Sequence, residues 1–298
     1  MNWKENRILN NVAHPGTYEE VVIHSDYRPI VLSLWYNHPK APTVIFLPGT
    51  MCHPLNYEPF LEGLAQGGFN VVGIHFLSHG KSPRISKKFT VRDFVQNVSD
   101  TISFVENKFD GPICLMGSSQ GGILASYIAT MDSRITLAFC HSVALPTQKE
   151  AIELTRFPIW LRRFRPIIYA GLGILAKAFA TLEVPLDAYL DPKEIQANSH
   201  GVKEDTNDPL MLKTYPISFI YSLFSLEINP KKIKCPIIVM TTTGDKVFRV
   251  EYVKHVYEQF QAPAKELMII PDLGHLCLME NADQVVAPIL DKLWQYLD

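Results

Sequence analysis

The sequence predicts an α/β protein with a mostly parallel, eight-stranded sheet, helices on both faces of the sheet and an inserted helical cap. Three observations support this fold class. Short apolar runs of strand length alternate with longer segments whose apolar residues recur at helical spacing. Such alternation indicates parallel strands that are covered by helices on both sides. Residues 145–230 interrupt the alternation and show no strand-like pattern of their own.

The alternation can be followed along the whole chain. Residues 18–24 and 30–36 are β-rich runs on either side of a turn with the sequence Asp-Tyr-Arg-Pro. A long helix is predicted over residues 90–109, because its apolar residues recur every three or four positions. In chain order, the remaining predicted elements are strands 43–47, 69–75, 113–116, 135–140, 236–241 and 266–270, and helices 57–66, 119–131, 250–260 and 285–297.

Residues 145–230 are predicted to form the cap, and residues 1–144 and 231–298 the α/β core that carries it. Connections between neighbouring strands and helices usually take about 2–6 residues, so a connection of this length must contain folded structure. Its helix-like runs are rich in aromatic residues and are broken repeatedly by proline. We expect the cap to lie over the active edge of the sheet and not to form an independent domain.

The composition narrows the class of protein. Hydrophobic residues make up 47% of the chain and charged residues 19%, which predicts a sizeable core and argues against wholesale disorder. The net charge of -2 and the pI near 6.6 give no basic surface for nucleic acid. The five cysteines are odd in number and lack CxxC spacing, which favours buried, reduced thiols over disulfides or a zinc site.

Two further features bear on location. The first seven residues are polar and lead into no apolar segment of the signal-peptide kind. The most apolar stretch, residues 166–182, is interrupted by Lys177 and is shorter than the roughly 20 apolar residues of a spanning helix. We therefore expect a cytoplasmic protein, and we leave open both a peripheral membrane contact through the cap and a homodimer.

The strongest motif is the sequence Gly-Ser-Ser-Gln-Gly at residues 117–121, which fits G-x-S-x-G. It lies between a predicted strand and a predicted helix, which is the setting of a nucleophile elbow. A turn of this kind lifts the hydroxyl of its middle residue, Ser119, above the sheet, and glycines flank it because the backbones pack closely there. The alternative, a glycine-rich phosphate-binding turn, is weakened because the G-x-G-x-x-G and P-loop spacings are missing.

A serine nucleophile needs a base that is itself oriented by an acid. His275 follows the predicted strand 266–270, and Asp245 follows the predicted strand 236–241. Both loops open on the carboxyl edge of the sheet, beside the elbow. The sequence therefore predicts a triad of Ser119, Asp245 and His275 in the chain order that this architecture uses. Asp272 is a rival for the acid, although it could instead cap the helix that follows.

These features resemble the α/β-hydrolase superfamily, and within it the branch of monoacylglycerol lipases and esterases with a helical cap. The resemblance covers nearly the whole chain beyond about residue 18. It includes the sequence Leu-Pro-Gly-Thr-Met at residues 47–51, where Pro48 replaces the usual histidine of the family. The resemblance implies an oxyanion hole made by the backbone N–H groups of Thr50 and Gln120, with Met51 less favoured. Because the backbone donates, Pro48 leaves the donor intact.

Residues 75–82 resemble the family's Asp-x-x-Gly-His-Gly-x-Ser segment, from which His75 and Ser78 depart. We interpret His79 as a structural histidine that braces loops near the site. For His53, just beyond the oxyanion loop, two interpretations stay open: contact with substrate, or a loop residue that faces solvent.

The resemblance implies acyl transfer, in which Ser119 forms an acyl-enzyme and His275 activates the water that releases the acid. A serine nucleophile argues against the dehalogenase and epoxide hydrolase branches. No residues have metal-ligand spacing, so we expect neither a metal nor another cofactor.

The leading hypothesis is a serine carboxylic ester hydrolase that acts on a small-molecule ester or lipid-like substrate with a medium or long acyl chain. It rests on the cap, whose bulky aromatic residues, among them Phe157, Trp160 and Phe164, are expected to line an apolar pocket. The alternatives are a thioesterase or C–C bond hydrolase on the same triad, or a catalytically silent ligand-binding receptor of the same fold.

Overall fold

A mostly parallel sheet of eight strands forms the centre of the protein, as predicted. The computed structural model describes residues 17–197 and 208–298, so the prediction for the first seven residues lies outside the described part. The strands of the sheet are β1 (Thr17–Ser25), β2 (Arg28–Tyr36), β3 (Thr43–Leu47), β4 (Asn70–His75), β5 (Ile113–Ser118), β6 (Leu137–His141), β9 (Ile237–Thr242) and β10 (Lys265–Ile270).

The strand order is β1-β2-β4-β3-β5-β6-β9-β10. β2 is antiparallel to both of its neighbours, β1 and β4, and the other neighbouring pairs in the sheet are parallel. The central strands β3, β5 and β6 are buried along their whole length. Burial on both faces explains why these strands are continuous apolar runs in the sequence and not alternating ones.

Helices cover both faces of the sheet. The cap helices apart, they are α1 (Glu58–Gln66), α2 (Val91–Lys108), α3 (Gln120–Ile128), α7 (Val250–Gln259), α8 (Cys277–Glu280) and α9 (Ala282–Leu297). Apolar residues of α2, α3 and α7 belong to one buried cluster, and those of α1 and α9 to a second cluster on the opposite face. The sheet therefore carries a separate hydrophobic core on each side.

The long helix α2 shows how local sequence sets an element. It begins after Thr90, whose side chain and backbone N–H interact with Asp93 in a capping box. Its buried residues, which include Phe94, Val98 and Ile102, recur along one face of the helix. The helix matches the predicted range within one residue at each end.

The segment predicted to form the cap, residues 145–230, lies between β6 and β9 in the chain and is called the cap from here on. Besides helices it contains two short antiparallel strands, although no strand was expected. Each strand has three residues and ends in proline, so neither produces a periodic signal in the sequence. The cap elements with helical or strand structure are two 3₁₀ helices (Lys149–Leu154 and Ile159–Phe164), α4 (Arg165–Ala178), β7 (Glu183–Pro185), a 3₁₀ helix (Leu186–Ala188), α5 (Pro192–Ile195), β8 (Thr214–Pro216) and α6 (Ile217–Phe224).

Within the described ranges, none of the helices combines the length and the apolar character that a membrane crossing requires.

Candidate active site

Ser119 lies at the tip of a strained turn between β5 and α3. Its backbone has φ 54° and ψ −118°, a sparsely populated conformation that costs a non-glycine residue about 1–3 kcal/mol. The turn is held because the Ser119 N–H donates to the carbonyl oxygen of His141 over 2.8 Å. A Cβ on Gly121 would lie 2.0 Å from the carbonyl oxygen of Leu47. A Cβ on Gly117 would lie 2.0 Å from the carbonyl oxygen of Gly121. The two glycines of the motif are therefore required by backbone packing.

Three side chains from separate loops meet at the carboxyl edge of the sheet. His275, on the loop after β10, places Nε2 3.1 Å from the Ser119 Oγ. Its Nδ1 lies 2.8 Å from an Oδ2 of Asp245, which is on the loop after β9. The structure thus brings together the three residues that the sequence grouped, in the geometry that proton transfer from the serine requires.

Asp245 is buried and is fixed by the backbone as well as by His275. Its second carboxylate oxygen accepts the N–H groups of Val247 and Phe248, each over 2.8 Å. Burial alone would raise the pKa of this carboxyl, but the electrostatic interaction with His275 and the hydrogen bonds outweigh it and lower the pKa to about 2. The rival acid, Asp272, lies exposed, and the carboxylate that contacts His275 is that of Asp245.

Ser118 and His141 form a second serine–histidine pair, which is buried. The Ser118 Oγ is 3.0 Å from Nδ1 of His141, and Nε2 of His141 is 3.5 Å from the Cys277 Sγ. His141 is wholly buried, and burial together with the electrostatic interaction with His275 lowers its pKa to about 3. His141 was not predicted as a site residue; the signal in the sequence is a polar residue at the end of an otherwise apolar strand.

The loop after β3 presents one free backbone donor to the site. The Gly49 N–H donates to the Tyr57 hydroxyl over 3.1 Å, and the Met51 N–H donates to the Tyr215 hydroxyl over 2.8 Å. Among the described residues this leaves the Thr50 N–H without a hydrogen-bond partner. Gln120 is the first residue of α3, where an N–H has no partner within the helix. Both predicted oxyanion donors therefore remain available, and Met51 is committed elsewhere.

A cavity of about 690 Å³ opens above Ser119 and His275, and Thr50 and Gln120 belong to its lining. Most of its wall is apolar and comes from both the core and the cap. Apolar lining residues include Ile123, Leu154, Leu186, Ile195, Leu223 and Phe224.

The prediction that Phe157, Trp160 and Phe164 line this pocket is wrong. They lie on the outer surface of the cap with 45%, 60% and 37% of their area exposed. The Arg163 guanidinium packs over the Trp160 and Phe164 rings, at 6.0 and 4.7 Å from their centroids. Trp160 and Phe164 lie on a short 3₁₀ helix that turns them away from the core, and Phe157 lies just before it. An aromatic-rich sequence does not reveal which side of a cap its rings occupy.

The histidines near the oxyanion loop are structural. His79 is buried, with Nδ1 2.9 Å from the carbonyl oxygen of Leu77 and Nε2 3.0 Å from the Tyr215 hydroxyl, in agreement with the predicted bracing role. Neither interpretation of His53 holds, because it is buried, lies outside the cavity lining and places Nε2 2.8 Å from a carboxylate oxygen of Asp208.

Across residues 17–197 and 208–298, no group of three or more His, Cys, Asp or Glu side chains is arranged to bind a metal ion.

Comparison with known proteins supports the fold. The model of a family described as serine aminopeptidase, S33, matches residues 38–282. No curated protein sequence matches the chain. A monoacylglycerol lipase from Paleococcus ferrophilus superposes with a TM-score of 0.72 at 20% identity, covering 90% of this chain and 99% of that one.

Two further solved structures have the same fold. A monoglyceride lipase from Saccharomyces cerevisiae gives a TM-score of 0.70 at 15% identity, with 97% of each chain covered. Est1E from Butyrivibrio proteoclasticus, with ferulic acid bound, superposes with a TM-score of 0.65 at 16% identity. The superposition covers 93% of this chain and 98% of that one. At these identities the likeness establishes the α/β-hydrolase architecture and leaves the substrate to be argued from the site.

Proposed function

Because the chain belongs to the α/β-hydrolase family described as serine aminopeptidase, S33, we propose that it is a serine hydrolase that cleaves carboxylic esters. One observation carries the proposal: the continuous hydrogen-bonded chain from Asp245 through His275 to Ser119. Such a chain activates a hydroxyl that is otherwise a weak nucleophile. The adjoining apolar cavity offers room for the acyl part of an ester.

The geometry supports acyl transfer in two stages. In the first, the Ser119 Oγ attacks the carbonyl carbon while Nε2 of His275 takes the hydroxyl proton, and the ionised Asp245 stabilises the resulting imidazolium. The tetrahedral oxyanion accepts the N–H groups of Thr50 and Gln120, each of which is typically worth about 3–4 kcal/mol. Collapse expels the alcohol, which receives the proton from His275, and leaves an ester between the substrate's acyl group and Ser119.

In the second stage water attacks that ester. His275 accepts a proton from the water, a second tetrahedral oxyanion forms at the same two N–H groups, and its collapse returns the proton to Ser119 and frees the carboxylic acid. The cycle consumes one ester and one water, and it yields one alcohol and one acid. Of the five named residues, only Ser119 and His275 gain or lose a proton, whereas Asp245, Thr50 and Gln120 stabilise charge.

The cavity favours a medium or long acyl chain. Each methylene that moves from water to an apolar wall contributes about 0.8 kcal/mol. If this binding is expressed in the transition state, kcat/KM rises about threefold to fourfold per methylene until the cavity is full. We therefore propose acyl chains of about six carbons or more, with aliphatic walls such as Leu186 and Leu223 in contact with the chain.

We also propose that the outer face of the cap contacts an anionic lipid surface. Ile167, Ile174 and Phe179 are 72%, 68% and 60% exposed on or directly after α4. Cationic side chains, including Arg163 and Lys177, lie exposed on the same part of the cap. Apolar residues flanked by cations suit a peripheral membrane contact, in which each cation near the surface adds about 1 kcal/mol.

A series of p-nitrophenyl esters with acyl chains from acetyl to dodecanoyl tests the proposed reaction and substrate class. We expect kcat/KM to rise with chain length and a fluorophosphonate probe to label Ser119 stoichiometrically. Preferential turnover of matched acyl thioesters or of β-diketones would favour the thioesterase or the C–C bond hydrolase, and turnover of aminoacyl p-nitroanilides alone would favour a peptidase. Labelling of Ser119 without turnover of any of these substrates would indicate the silent receptor.

Sedimentation with vesicles tests the membrane contact. We expect binding to vesicles that contain phosphatidylserine and weaker binding by the variant Ile167→Ser/Ile174→Ser. Equal sedimentation of variant and wild type would overturn the contact. A concentration-dependent dimer that the same variant abolishes would show that this face instead joins two copies of the chain.

A further inference from the structure

One cap segment holds both backbone polar groups of Met51. The Tyr215 hydroxyl accepts the Met51 N–H over 2.8 Å, and the Leu212 N–H donates to the Met51 carbonyl oxygen over 3.2 Å. Met51 has a φ of 63°, which a residue with a side chain adopts only when its surroundings hold it there. Since Thr50 directly precedes Met51, the orientation of the Thr50 N–H depends on these two contacts.

The Tyr215 hydroxyl is fully engaged in this arrangement. Nδ1 of His79 faces the carbonyl oxygen of Leu77, which can only accept, so Nδ1 carries the proton and Nε2 accepts from the Tyr215 O–H. The hydroxyl oxygen then accepts the Met51 N–H and, more weakly, the Gln120 side-chain amide over 3.4 Å. One donor and two acceptor positions are thus filled, and no proton of Tyr215 is left for substrate.

The same hydroxyl therefore contacts both parts of the oxyanion hole. It holds the residue after Thr50, and it contacts the side chain of Gln120, whose own N–H is the second donor. Tyr215 is wholly buried and does not belong to the cavity wall. It belongs to β8 in the cap, whereas both oxyanion donors belong to the core.

We propose that Tyr215 is a positioning residue that sets the geometry of the oxyanion hole, so that the cap controls stabilisation of the transition state as well as binding of the substrate. The inference rests on the proposed function. Donors of this kind must already point to the developing charge before reaction, and a small displacement weakens them strongly. The position of the cap thereby becomes part of the catalytic geometry.

The variant Tyr215→Phe removes one oxygen atom and keeps the ring. We expect kcat for p-nitrophenyl octanoate to fall about tenfold to hundredfold, with KM changed less than about twofold. Binding of an alkyl boronic acid, which forms a tetrahedral adduct with Ser119, should weaken by about the same factor as kcat. Inhibition by octanoic acid, the product, should change little because it needs no oxyanion geometry.

Tyr169→Phe is the matched control. It also removes one hydroxyl of the cap, which donates to the carbonyl oxygen of Pro146 over 3.3 Å, remote in sequence from the oxyanion loop. Gln120→Met keeps the backbone donor and removes the side-chain contact with Tyr215. Should Tyr215→Phe not fold, Gln120→Met still tests the proposal, and we expect it to lower kcat in the same direction. In the double variant the two effects should not add, because they act through one network.

The outcomes are separable. If the wild type turns over esters and Tyr215→Phe has the same kcat, Tyr215 has only a structural role and the inference is overturned. The same conclusion follows if Tyr169→Phe lowers kcat as much as Tyr215→Phe does. A kcat of Gln120→Met equal to that of the wild type counts against it in the same way. If the wild type itself turns over no ester and Ser119 does not react with a fluorophosphonate, the proposed function has failed and the inference falls with it.

Discussion

Ser118 and Ser119 are neighbours in the chain, yet their hydroxyls contact different histidines: Ser118 lies 3.0 Å from His141, and Ser119 lies 3.1 Å from His275. We expect Ser119→Ala to reduce ester turnover to the residual level that binding and the oxyanion hole supply, with little change in thermal stability. Ser118→Ala should retain substantial activity, because it removes only a buried contact. Steady-state kinetics of the two variants show which serine is the nucleophile. Loss of activity in Ser118→Ala alone would mean that the elbow is misassigned.

The acid is tested by an amide substitution. Asp245→Asn preserves shape but no longer accepts the N–H on Nδ1 of His275, so kcat should fall on the order of 10⁴-fold by analogy with the orienting aspartate of serine proteases. Asp272→Asn is the matched control and should cost far less, since Asp272 is exposed. The comparison requires only kcat for one ester, and the reverse ranking would transfer the role to Asp272.

Buried neutral histidines predict a loss of stability in acid. Burial lowers the pKa values of His75, His79 and His141 to about 3 each. The unfolded chain takes up these protons with a pKa near 6.5, whereas the native rings stay neutral, so stability is highest above about pH 6.5 and falls as the pH drops through it. From pH 7 to 5.5 the loss is about 1 kcal/mol for each histidine, or about 3–4 kcal/mol together.

Urea unfolding at the two pH values, followed by circular dichroism, measures this loss. In the variant His141→Gln we expect the difference between the two pH values to shrink by about 1 kcal/mol, whatever the absolute stability of the variant. A free energy of unfolding that is the same at pH 7 and pH 5.5 would show that these rings are protonated in the native state.

Pocket and surface residues of the cap should have separable effects. Replacing Phe157, Trp160 and Phe164 together with Ala should leave kcat/KM for soluble esters unchanged at every chain length, because all three lie outside the cavity. Leu186→Trp adds volume to the cavity wall, so we expect it to shift the optimum toward shorter acyl chains. A chain-length profile of each variant provides the measurement. An unchanged optimum in Leu186→Trp would mean that the acyl chain does not extend along this wall.

The sequence predicted the core and the grouping of the site well, and the reason is topological. In a parallel sheet the carboxyl ends of neighbouring strands share one edge, so residues that follow β5, β9 and β10 must lie near one another. Ser119, Asp245 and His275 each follow such a strand, and the structure places them in hydrogen-bond contact. Their positions could be predicted without any knowledge of the cap.

The structure of the cap was harder to predict. Its prolines and short elements give no clear periodicity, so β7 and β8 were missed, and the orientation of Trp160 could not be read from its neighbours. Tyr215 appeared in the sequence only as one bulky aromatic residue among several. Its role depends on a hydroxyl that meets Met51 across 164 positions of the chain, and no local pattern encodes a contact of that separation.

The cap leaves the core after β6 and returns before β9, and these two strands are adjacent and parallel. Because the two strands are parallel, the chain leaves β6 at the carboxyl edge of the sheet and enters β9 at the amino edge, so residues 145–230 make the crossover between these strands as well as covering the site. A cap from a related hydrolase could supply new acyl selectivity to an unchanged nucleophile, base and acid, provided that it makes the same crossing between the two edges of the sheet. On the inference drawn for Tyr215, an active chimera would need a donor cap that presents its own hydroxyl to the Met51 N–H.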